Sequence, residues 1–242
     1  MVARGTKLRR EGRGNSSYVH MPGVLTSKQL AAARAFFASD EVQNTMDEGD
    51  LFDHESNTHR SSRVAWIERH DGDGGPSIPP WLHAKLRGAA KAAHSVYGNR
   101  VTKIGISKNG TWTPRFEPLQ YAEYAEGAHY RGWHTDAEEP EVDPEDSRCL
   151  TVVLLLSDRS AYSGGHFEAK LDGKGGQGTA TKVPIEAGDA IVFLSKHLWH
   201  RVTKCNGGLR QSLVFWVRRR GAAKLARFLP ASMRDEEAAS PS

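Results

Sequence analysis

The sequence predicts a mainly β, α+β chain in which helices near the N-terminus support a closed or double-sheet β architecture. Three observations lead to this prediction. Apolar residues recur at clear helical spacing in two long segments, both before residue 100. After residue 100, short β-type runs alternate with Gly, Pro and Asp clusters, a pattern typical of barrels and sandwiches. At 242 residues the chain is long enough to bury one large core as a single domain.

Residues 1–18 are predicted to form a disordered basic tail. They contain five Lys and Arg residues, against Glu11 as the one acidic residue. An Arg-rich, acid-poor segment is also typical of an organelle transit peptide, which is the alternative to a tail. The segment lacks the apolar run of a secretory signal, so we expect a cytoplasmic protein.

Two helices are predicted, with a strand between them. The first, over 24–39, has Thr26 and Ser27 as N-cap candidates, followed by apolar residues at helical spacing. The second, over 79–99, starts at two prolines and ends near a glycine. The intervening strand is "SSRVAWIE", residues 61–68.

The rest of the chain is predicted to be strands and turns. The β-type runs are "PLQYAEYAE", "CLTVVLLLS", "HFEAKL", "KVPI", "DAIVFLS", "HRVTK" and "RQSLVFWV". We therefore expect one domain over 19–220, with helical and strand support in 19–100 and the β core in 101–220. Residues 221–242 are predicted to be a short helix, "AAKLARFL", and a polar tail.

Composition argues against several classes of function. The formal charge is +4, but the N-terminal segment supplies it, so the body is near neutral and nucleic acid is not an expected partner. No apolar run approaches the roughly 18 residues of a membrane span, so a membrane partner is not expected either. The two cysteines, Cys149 and Cys205, imply no disulfide framework and fit a reducing compartment.

The triplet His134-Thr135-Asp136 is the first candidate for chemistry. In a β-strand, residues i and i+2 point to the same face, so His134 and Asp136 would aim an imidazole and a carboxylate at one small volume. Two such groups can bind a divalent metal. A second histidine would complete the 2-His-1-carboxylate arrangement of non-haem Fe(II) oxygenases.

His200 is the candidate for that second histidine. It opens the run "HRVTK", 66 residues after His134, which leaves room for strands to wrap over a sheet and return. His197 lies nearby and is the alternative ligand. We expect "KCNGG" to be a hairpin turn that places Arg210 beside His200 across a ladder. A buried Arg needs an anion, and a carboxylate would satisfy it bidentately.

The ordered motifs resemble those of the Fe(II)/2-oxoglutarate-dependent dioxygenases, in the prolyl 4-hydroxylase-like branch that includes lysyl and PKHD-type hydroxylases. They are His134-Thr135-Asp136, "LLLSDRSAYSGGHFE" (154–168), "EAGDAIVFLSKHLWHRVT" (186–203) and "GLRQSLVFWV" (208–217). The resemblance implies a double-stranded β-helix, a jelly-roll or cupin-like core. It also implies that His134, Asp136 and His200 bind Fe(II), and that the protein uses 2-oxoglutarate and O2, with ascorbate as a candidate further cofactor.

The resemblance also implies a site for the cosubstrate. Arg210 would bind its distal carboxylate, helped by Ser212 and Tyr124, with Tyr121 as the competitor of Tyr124. Collagen-type prolyl hydroxylases usually have Lys where Arg210 stands, so the chain looks more like the lysyl, oxygen-sensing prolyl and bacterial groups. Trp216 stands where AlkB-like demethylases carry a second Arg, and Asp136 is present where halogenases have Gly or Ala.

The resemblance therefore implies hydroxylation of a C–H bond, with a prolyl or other peptidyl side chain as substrate and succinate and CO2 as products. One alternative is a hydroxylase of a free amino acid or small metabolite, and another is a non-catalytic iron or 2-oxoglutarate sensor. Six carboxylates between residues 138 and 146 suggest a loop that attracts a cationic substrate. A solvated acidic loop without a partner is the alternative.

Overall fold

The computed structural model describes residues 8–13, 16–49, 60–69, 75–97, 114–136, 148–171 and 176–218. The described residues form three helices, α1 (Ser27–Phe37), α2 (Asp40–Gln43) and α3 (Pro80–Tyr97), and one 3-10 turn, Arg159–Ala161. The strands are β1 (Arg9–Arg13), β2 (Ser16–Met21), β3 (Asp47–Glu48), β4 (Arg60–Ser61), β5 (Arg63–Ile67), β6 (Arg115–Phe116), β7 (Leu119–Tyr124), β8 (His129–His134), β9 (Arg148–Leu155), β10 (Tyr162–Gly164), β11 (Phe167–Lys170), β12 (Ala180–Lys182), β13 (Ala190–Leu194), β14 (His200–Val202), β15 (Cys205–Gly208) and β16 (Arg210–Arg218).

Two antiparallel sheets face each other. The larger has the order β1-β2-β13-β9-β16-β7-β5-β3, with β6 paired to β16, and the smaller has the order β12-β11-β14-β8-β4. One apolar cluster joins residues of both sheets, such as Val153 and Phe193 of the larger with Phe167 and Val202 of the smaller. The predicted double-sheet β architecture is therefore confirmed, and the space between the sheets is the place where a site can form.

The helices cover the outer face of the larger sheet. Leu82, Leu86 and Ala93 belong to the buried stripe of α3 and share a second apolar cluster with Leu150 and Leu154 of β9. Because β9 is buried on both faces, its sequence is almost continuously apolar rather than alternating. Both predicted helices are confirmed, and neither they nor any other helix in the described part of the chain is long and apolar enough to cross a membrane.

The start of α1 follows from its cap. The Thr26 side chain accepts a hydrogen bond from the Gln29 amide at 3.3 Å, and the Gln29 side chain accepts one from the Thr26 amide at 3.2 Å. This reciprocal pair satisfies two amides that would otherwise lack a helical partner. Thr26 is therefore the N-cap, one of the two candidates identified in the sequence.

The prediction of a disordered tail over residues 1–18 is wrong for the part that the structure describes. Strand β1 pairs with β2, and β2 pairs with β13, so the segment extends the larger sheet. Tyr18 and Val19 are buried, one on each face of the sheet. The basic residues that the structure describes belong to β1, an exposed edge strand, and the buried residues of the segment belong to β2. Residues 1–7 lie outside the described residues, as does the predicted C-terminal helix and tail over 221–242.

The expected hairpin between His200 and Arg210 is also wrong. Strand β14 belongs to the smaller sheet and β16 to the larger, so the two residues are not neighbours on one ladder. The segment between them is a strand, β15, which pairs with β10. Both residues instead reach the space between the sheets from opposite sides. The run "KVPI" is likewise not a strand beyond Lys182, where β12 ends.

Candidate metal centre

His134, Asp136 and His200 converge between the sheets. Strands β8 and β14 pair in a register that places His134 directly opposite His200. The Asp136 Oδ1 atom lies 3.6 Å from His200 Nε2 and 3.9 Å from His134 Nε2. One ligand atom from each residue lies within 4.8 Å of the others. The structure thus brings together the three residues that the sequence selected. His197, the alternative ligand, is not part of this cluster.

The hydrogen bonds of the two histidines leave the correct nitrogens available for a metal. In each ring Nδ1 lies 3.0 Å from a backbone carbonyl oxygen two residues earlier, Gly132 for His134 and Leu198 for His200. A carbonyl oxygen can only accept, so Nδ1 carries the proton and Nε2 keeps its lone pair. Hydrogen bonding of the second nitrogen is the usual way in which metal-binding histidines are oriented.

Asp136 is oriented by two residues that the sequence did not single out, Thr151 and Ser195. The Thr151 hydroxyl donates to Asp136 Oδ2 at 2.8 Å, and its oxygen lies 2.9 Å from the Ser195 hydroxyl. The Asp136 amide donates to the Ser195 carbonyl at 3.0 Å. Both residues are fully buried. Since Oδ2 is occupied, Oδ1 is the oxygen directed to the two histidines.

The electrostatics of the cluster favour the protonation states that bind metal. Burial, and then the neighbouring His200, lower the pKa of His134 to about 3. Burial alone would raise the pKa of Asp136, but His200, His134 and Arg148 together hold that pKa below its ordinary value. At neutral pH His134 is therefore neutral and Asp136 is ionised. These are the forms that coordinate a divalent metal, so the residues fit an iron ion.

Aromatic rings fix the two imidazoles. Tyr130 stacks on His134 with ring centroids 3.8 Å apart and planes at 11°. Phe167 stacks on His200 at 5.2 Å, and Phe193 contacts the same ring at 4.9 Å. These rings restrict the rotation of both histidines and exclude water from their sides.

Arg210 enters the space between the sheets from the other side. It is 1% exposed, and its Nη1 donates to Ser212 at 2.9 Å. Its guanidinium carbon lies 5.2 Å from the centre of the Tyr124 ring. Its Nε is buried without a hydrogen-bond partner, and the described residues place no carboxylate within ion-pair distance of it. A buried guanidinium in this state is costly unless an anion binds it.

The structure distinguishes the two tyrosines that competed for this position. Tyr124 lies directly opposite Arg210 in the pairing of β7 with β16. Tyr121 points to the opposite face of the sheet, where its ring stacks on Phe37 and its hydroxyl donates to Glu123 at 2.6 Å. Only Tyr124 of this pair therefore contacts the buried guanidinium.

Gly165 makes the position of Arg210 possible. Its φ is +53°, a left-handed conformation that disfavours residues with a Cβ. A Cβ at this point would lie 2.6 Å from Cys205 Sγ and 3.1 Å from Arg210 Cδ. The second glycine of the "SGGHFE" motif is thus needed for close packing against the arginine.

Two tryptophans form an aromatic shelf beside the cluster, consisting of Trp66 and Trp216. Their ring centroids are 5.6 Å apart, and Trp66 is 47% exposed. Trp216 lies opposite Thr151 in the pairing of β16 with β9. The Arg148 guanidinium lies 4.0 Å over the Trp216 ring and binds Glu117 at 2.6 Å. The shelf therefore borders the residues that orient Asp136 and faces solvent at its outer end.

A protein-family model matches the part of the chain that carries this cluster. Residues 119–218 match the model of the 2OG-Fe(II) oxygenase superfamily. The matched range includes His134, Asp136, His200 and Arg210, and it extends from β7 to the end of β16.

Solved structures support the same fold. A prolyl-4-hydroxylase from Pseudomonas putida is 22% identical with a TM-score of 0.59, covering 84% of this chain and 93% of that one. A prolyl hydroxylase from Trichoplax adhaerens, solved with a hypoxia inducible factor peptide fragment, is 17% identical with a TM-score of 0.58, covering 84% of each chain. The carbocyclase SnoK from nogalamycin biosynthesis is 12% identical with a TM-score of 0.58, covering 85% of this chain and 80% of that one. The predicted double-stranded β-helix is confirmed.

Proposed function

We propose that this chain, which carries a 2OG-Fe(II) oxygenase domain, hydroxylates a C–H bond in a peptidyl side chain, with a prolyl ring as the first candidate. The observation that carries the proposal is the presence of two groups of residues in one space. Three atoms that can bind a metal converge at His134, Asp136 and His200, and no carboxylate of the described residues lies within ion-pair distance of the buried Arg210 guanidinium. A divalent metal and a carboxylate-bearing cosubstrate would complete both.

We assign the residues as follows. His134 and His200 would bind Fe(II) through Nε2, and Asp136 through Oδ1. Arg210 would bind the distal carboxylate of 2-oxoglutarate, with Ser212 and Tyr124 beside it. When bound, iron and cosubstrate together supply the oxidation that converts substrate, O2 and 2-oxoglutarate into hydroxylated substrate, succinate and CO2.

The protein itself contributes orientation and the exclusion of water. Thr151 and the two backbone carbonyls hold the ligand atoms toward one point, so little reorganisation is required when the metal binds. The aromatic rings that stack on the histidines shield the faces of both imidazoles from water, and shielding of this kind strengthens electrostatic contacts. Arg210 gives the cosubstrate a single orientation because its planar guanidinium grips a carboxylate bidentately.

The aromatic shelf supports a substrate with an apolar ring or side chain. Trp66 is 47% exposed and presents a flat face to solvent, while Trp216 is buried beneath it and supports its ring. The six acidic residues between 138 and 146 lie outside the described residues. We retain from the sequence the proposal that they attract a cationic peptide segment.

Hydroxylation of a free amino acid or small metabolite is the second candidate. The solved structure of SnoK, a carbocyclase from nogalamycin biosynthesis, shares the fold, so the architecture alone does not select peptides. A non-catalytic iron or 2-oxoglutarate sensor is the third. The free, buried cysteines fit our proposal that the protein works in a reducing compartment such as the cytoplasm.

The test is to incubate Fe(II)-reconstituted protein with a proteome digest and, separately, with a metabolite extract, with and without ascorbate. Mass spectrometry should reveal a product heavier by one oxygen atom, formed only with 2-oxoglutarate and matched by succinate. A modified peptide supports the first proposal. A modified metabolite contradicts it in favour of the second candidate. Binding of 2-oxoglutarate without any substrate-coupled succinate indicates the sensor.

A further inference from the structure

A cavity of about 160 Å³ opens beside Arg210. Tyr162, Phe167 and Val183 contribute to its apolar wall. It extends from Lys182, which is exposed, to Arg210, which is buried. The Phe167 ring that lines it also stacks on His200. The cavity therefore leads from the surface to Arg210, one aromatic ring away from His200, at a place distinct from the shelf of Trp66 and Trp216.

The wall of this cavity carries an excess of positive charge. Arg159 and Lys182 line it together with Arg210, against one carboxylate, Glu186. In the described ranges, none of these three cations has a carboxylate within ion-pair distance.

The environment of His166, which also lines the cavity, shows that Arg159 and Lys182 lie near the same side chain. Its Nδ1 lies 3.2 Å from Arg159 Nη2. Its pKa is lowered by burial and then by the nearby Lys182 and Arg159. Because each of these groups is positively charged and borders the cavity, an anion inside the cavity would be attracted by all of them. The second observation that points to an anionic ligand is the buried Nε of Arg210, which has no hydrogen-bond partner among the described residues.

We propose that this cavity is the port through which the cosubstrate dicarboxylate reaches Arg210 and through which the product dicarboxylate leaves. The inference rests on the proposed function, because it takes 2-oxoglutarate as the ligand of Arg210. A cleft lined by one sign of charge raises the association rate of an opposite ligand by roughly 10- to 1000-fold. A port of this kind lets the dicarboxylate exchange while a substrate still covers the aromatic shelf.

The first experiment reverses the charge of the port. Arg159→Glu/Lys182→Glu should lower the association rate constant of 2-oxoglutarate about tenfold or more at about 0.1 M salt. The dissociation rate constant should change less. The measurement is stopped-flow tryptophan fluorescence on anaerobic, Fe(II)-loaded protein. In about 1 M salt the screening length falls to about 3 Å, so the difference from wild type should shrink.

A matched control has the same change in total charge at a distance from the cavity. Lys28→Glu/Lys91→Glu replaces two exposed lysines on the helices. Its association rate constant should stay within about twofold of wild type, since a charge beyond the screening length of roughly 10 Å has little effect. If the control slows association as much as the port variant does, the effect is one of net charge, and the port is overturned.

A second experiment blocks the cavity without adding charge. Lys182→Cys, labelled with a bulky neutral maleimide, should slow both the binding and the release of 2-oxoglutarate. The native cysteines are buried, so the label goes to the new thiol. Labelled Lys91→Cys is the control and should behave as the unlabelled protein.

The outcomes separate the port from the proposed function. Rate constants unchanged in both the reversed and the plugged variants, with a normal dissociation constant for 2-oxoglutarate, overturn the port and leave the proposed function standing. Wild-type protein that binds no 2-oxoglutarate at all contradicts the proposed function and the port together. Slower exchange in both variants, with both controls normal, supports the port.

Discussion

Replacing Arg210 by methionine should stabilise the protein in the absence of cosubstrate and weaken its affinity for 2-oxoglutarate. The side chain is 1% exposed and has Ser212 as its polar partner, with no carboxylate nearby among the described residues. Replacing a buried ionic group by an apolar one of similar size is often neutral or stabilises by about 1 to 4 kcal/mol. Within the described part of the chain Arg210 has no ion pair to lose, so we expect the free energy of unfolding to rise within this range.

The affinity for the cosubstrate should change in the opposite direction. Losing one partner of a buried, hydrogen-bonded charge pair costs about 2 to 5 kcal/mol. At about 1.4 kcal/mol for each factor of ten, the dissociation constant of 2-oxoglutarate should rise roughly 30-fold to several thousand-fold. The assays are urea unfolding followed by circular dichroism, and anaerobic calorimetric titration of 2-oxoglutarate into Fe(II)-loaded protein.

The other end of the same strand supplies a matched control. Arg218 is also buried, but its Nε lies 3.4 Å from Glu117 Oε1. Arg218→Met should therefore lower the stability and leave the affinity for 2-oxoglutarate within about twofold, because an ion pair is lost far from the cosubstrate. The reasoning is refuted if Arg210→Met is less stable than wild type and binds 2-oxoglutarate equally well.

Three further predictions follow from other contacts. Thr151→Val should weaken Fe(II) binding about 10- to 100-fold in an anaerobic titration, because the Thr151 hydroxyl orients Asp136. Thr151→Ser keeps the hydroxyl and should restore the affinity. Equal Fe(II) affinities of Thr151→Val and wild type would contradict this role. Asp189→Asn should lower the free energy of unfolding at neutral pH by about 1 to 3 kcal/mol. Burial would raise the pKa of Asp189, but hydrogen bonds from His20 and two backbone amides hold that pKa below its ordinary value. The stability difference between wild type and Asp189→Asn should therefore vanish as the pH falls through the lowered pKa. A difference in urea unfolding that stays constant down to pH 2 would contradict this prediction. Trp66→Ala should raise KM for the identified substrate, with little change in the KM for 2-oxoglutarate, and an unchanged substrate KM would exclude the shelf as its binding surface.

Local patterns were sufficient to predict the convergence of the candidate metal ligands. His134 and Asp136 are two residues apart at the end of a strand, where the side chains can reach one volume. The order of His200 and Arg210 after them completed the pattern. The helices were predictable for the same reason, since helical spacing of apolar residues is a property of a short window.

Contacts between distant segments were not predictable in this way. Thr151 and Ser195 are single polar residues within apolar runs, and nothing local indicates that one would bind Asp136 and the other support it. Trp66 and Trp216 are separated by most of the chain, and only the pairing of their strands with shared neighbours brings them together. Such pairs depend on topology.

Two errors show where local reading misleads. The charges before residue 14 indicated a tail, although the segment that follows them is β2, in which Ser17, Tyr18 and Val19 are all buried. The glycines before Arg210 indicated a hairpin, although in a double-sheet fold consecutive strands can belong to opposite sheets. In both cases the residue types were read correctly, but the sequence did not show which strand the segment pairs with.

The most direct test of the central claim is the stoichiometry of cosubstrate turnover by Fe(II)-reconstituted protein and by its Asp136→Ala variant. The measurement is succinate formed and 2-oxoglutarate consumed, by mass spectrometry, at equal protein and iron concentrations. The account predicts one succinate for each 2-oxoglutarate consumed by the wild type, and no succinate above the iron-only background for Asp136→Ala. Equal succinate production by the two proteins would contradict the assignment of His134, Asp136 and His200 as the iron site.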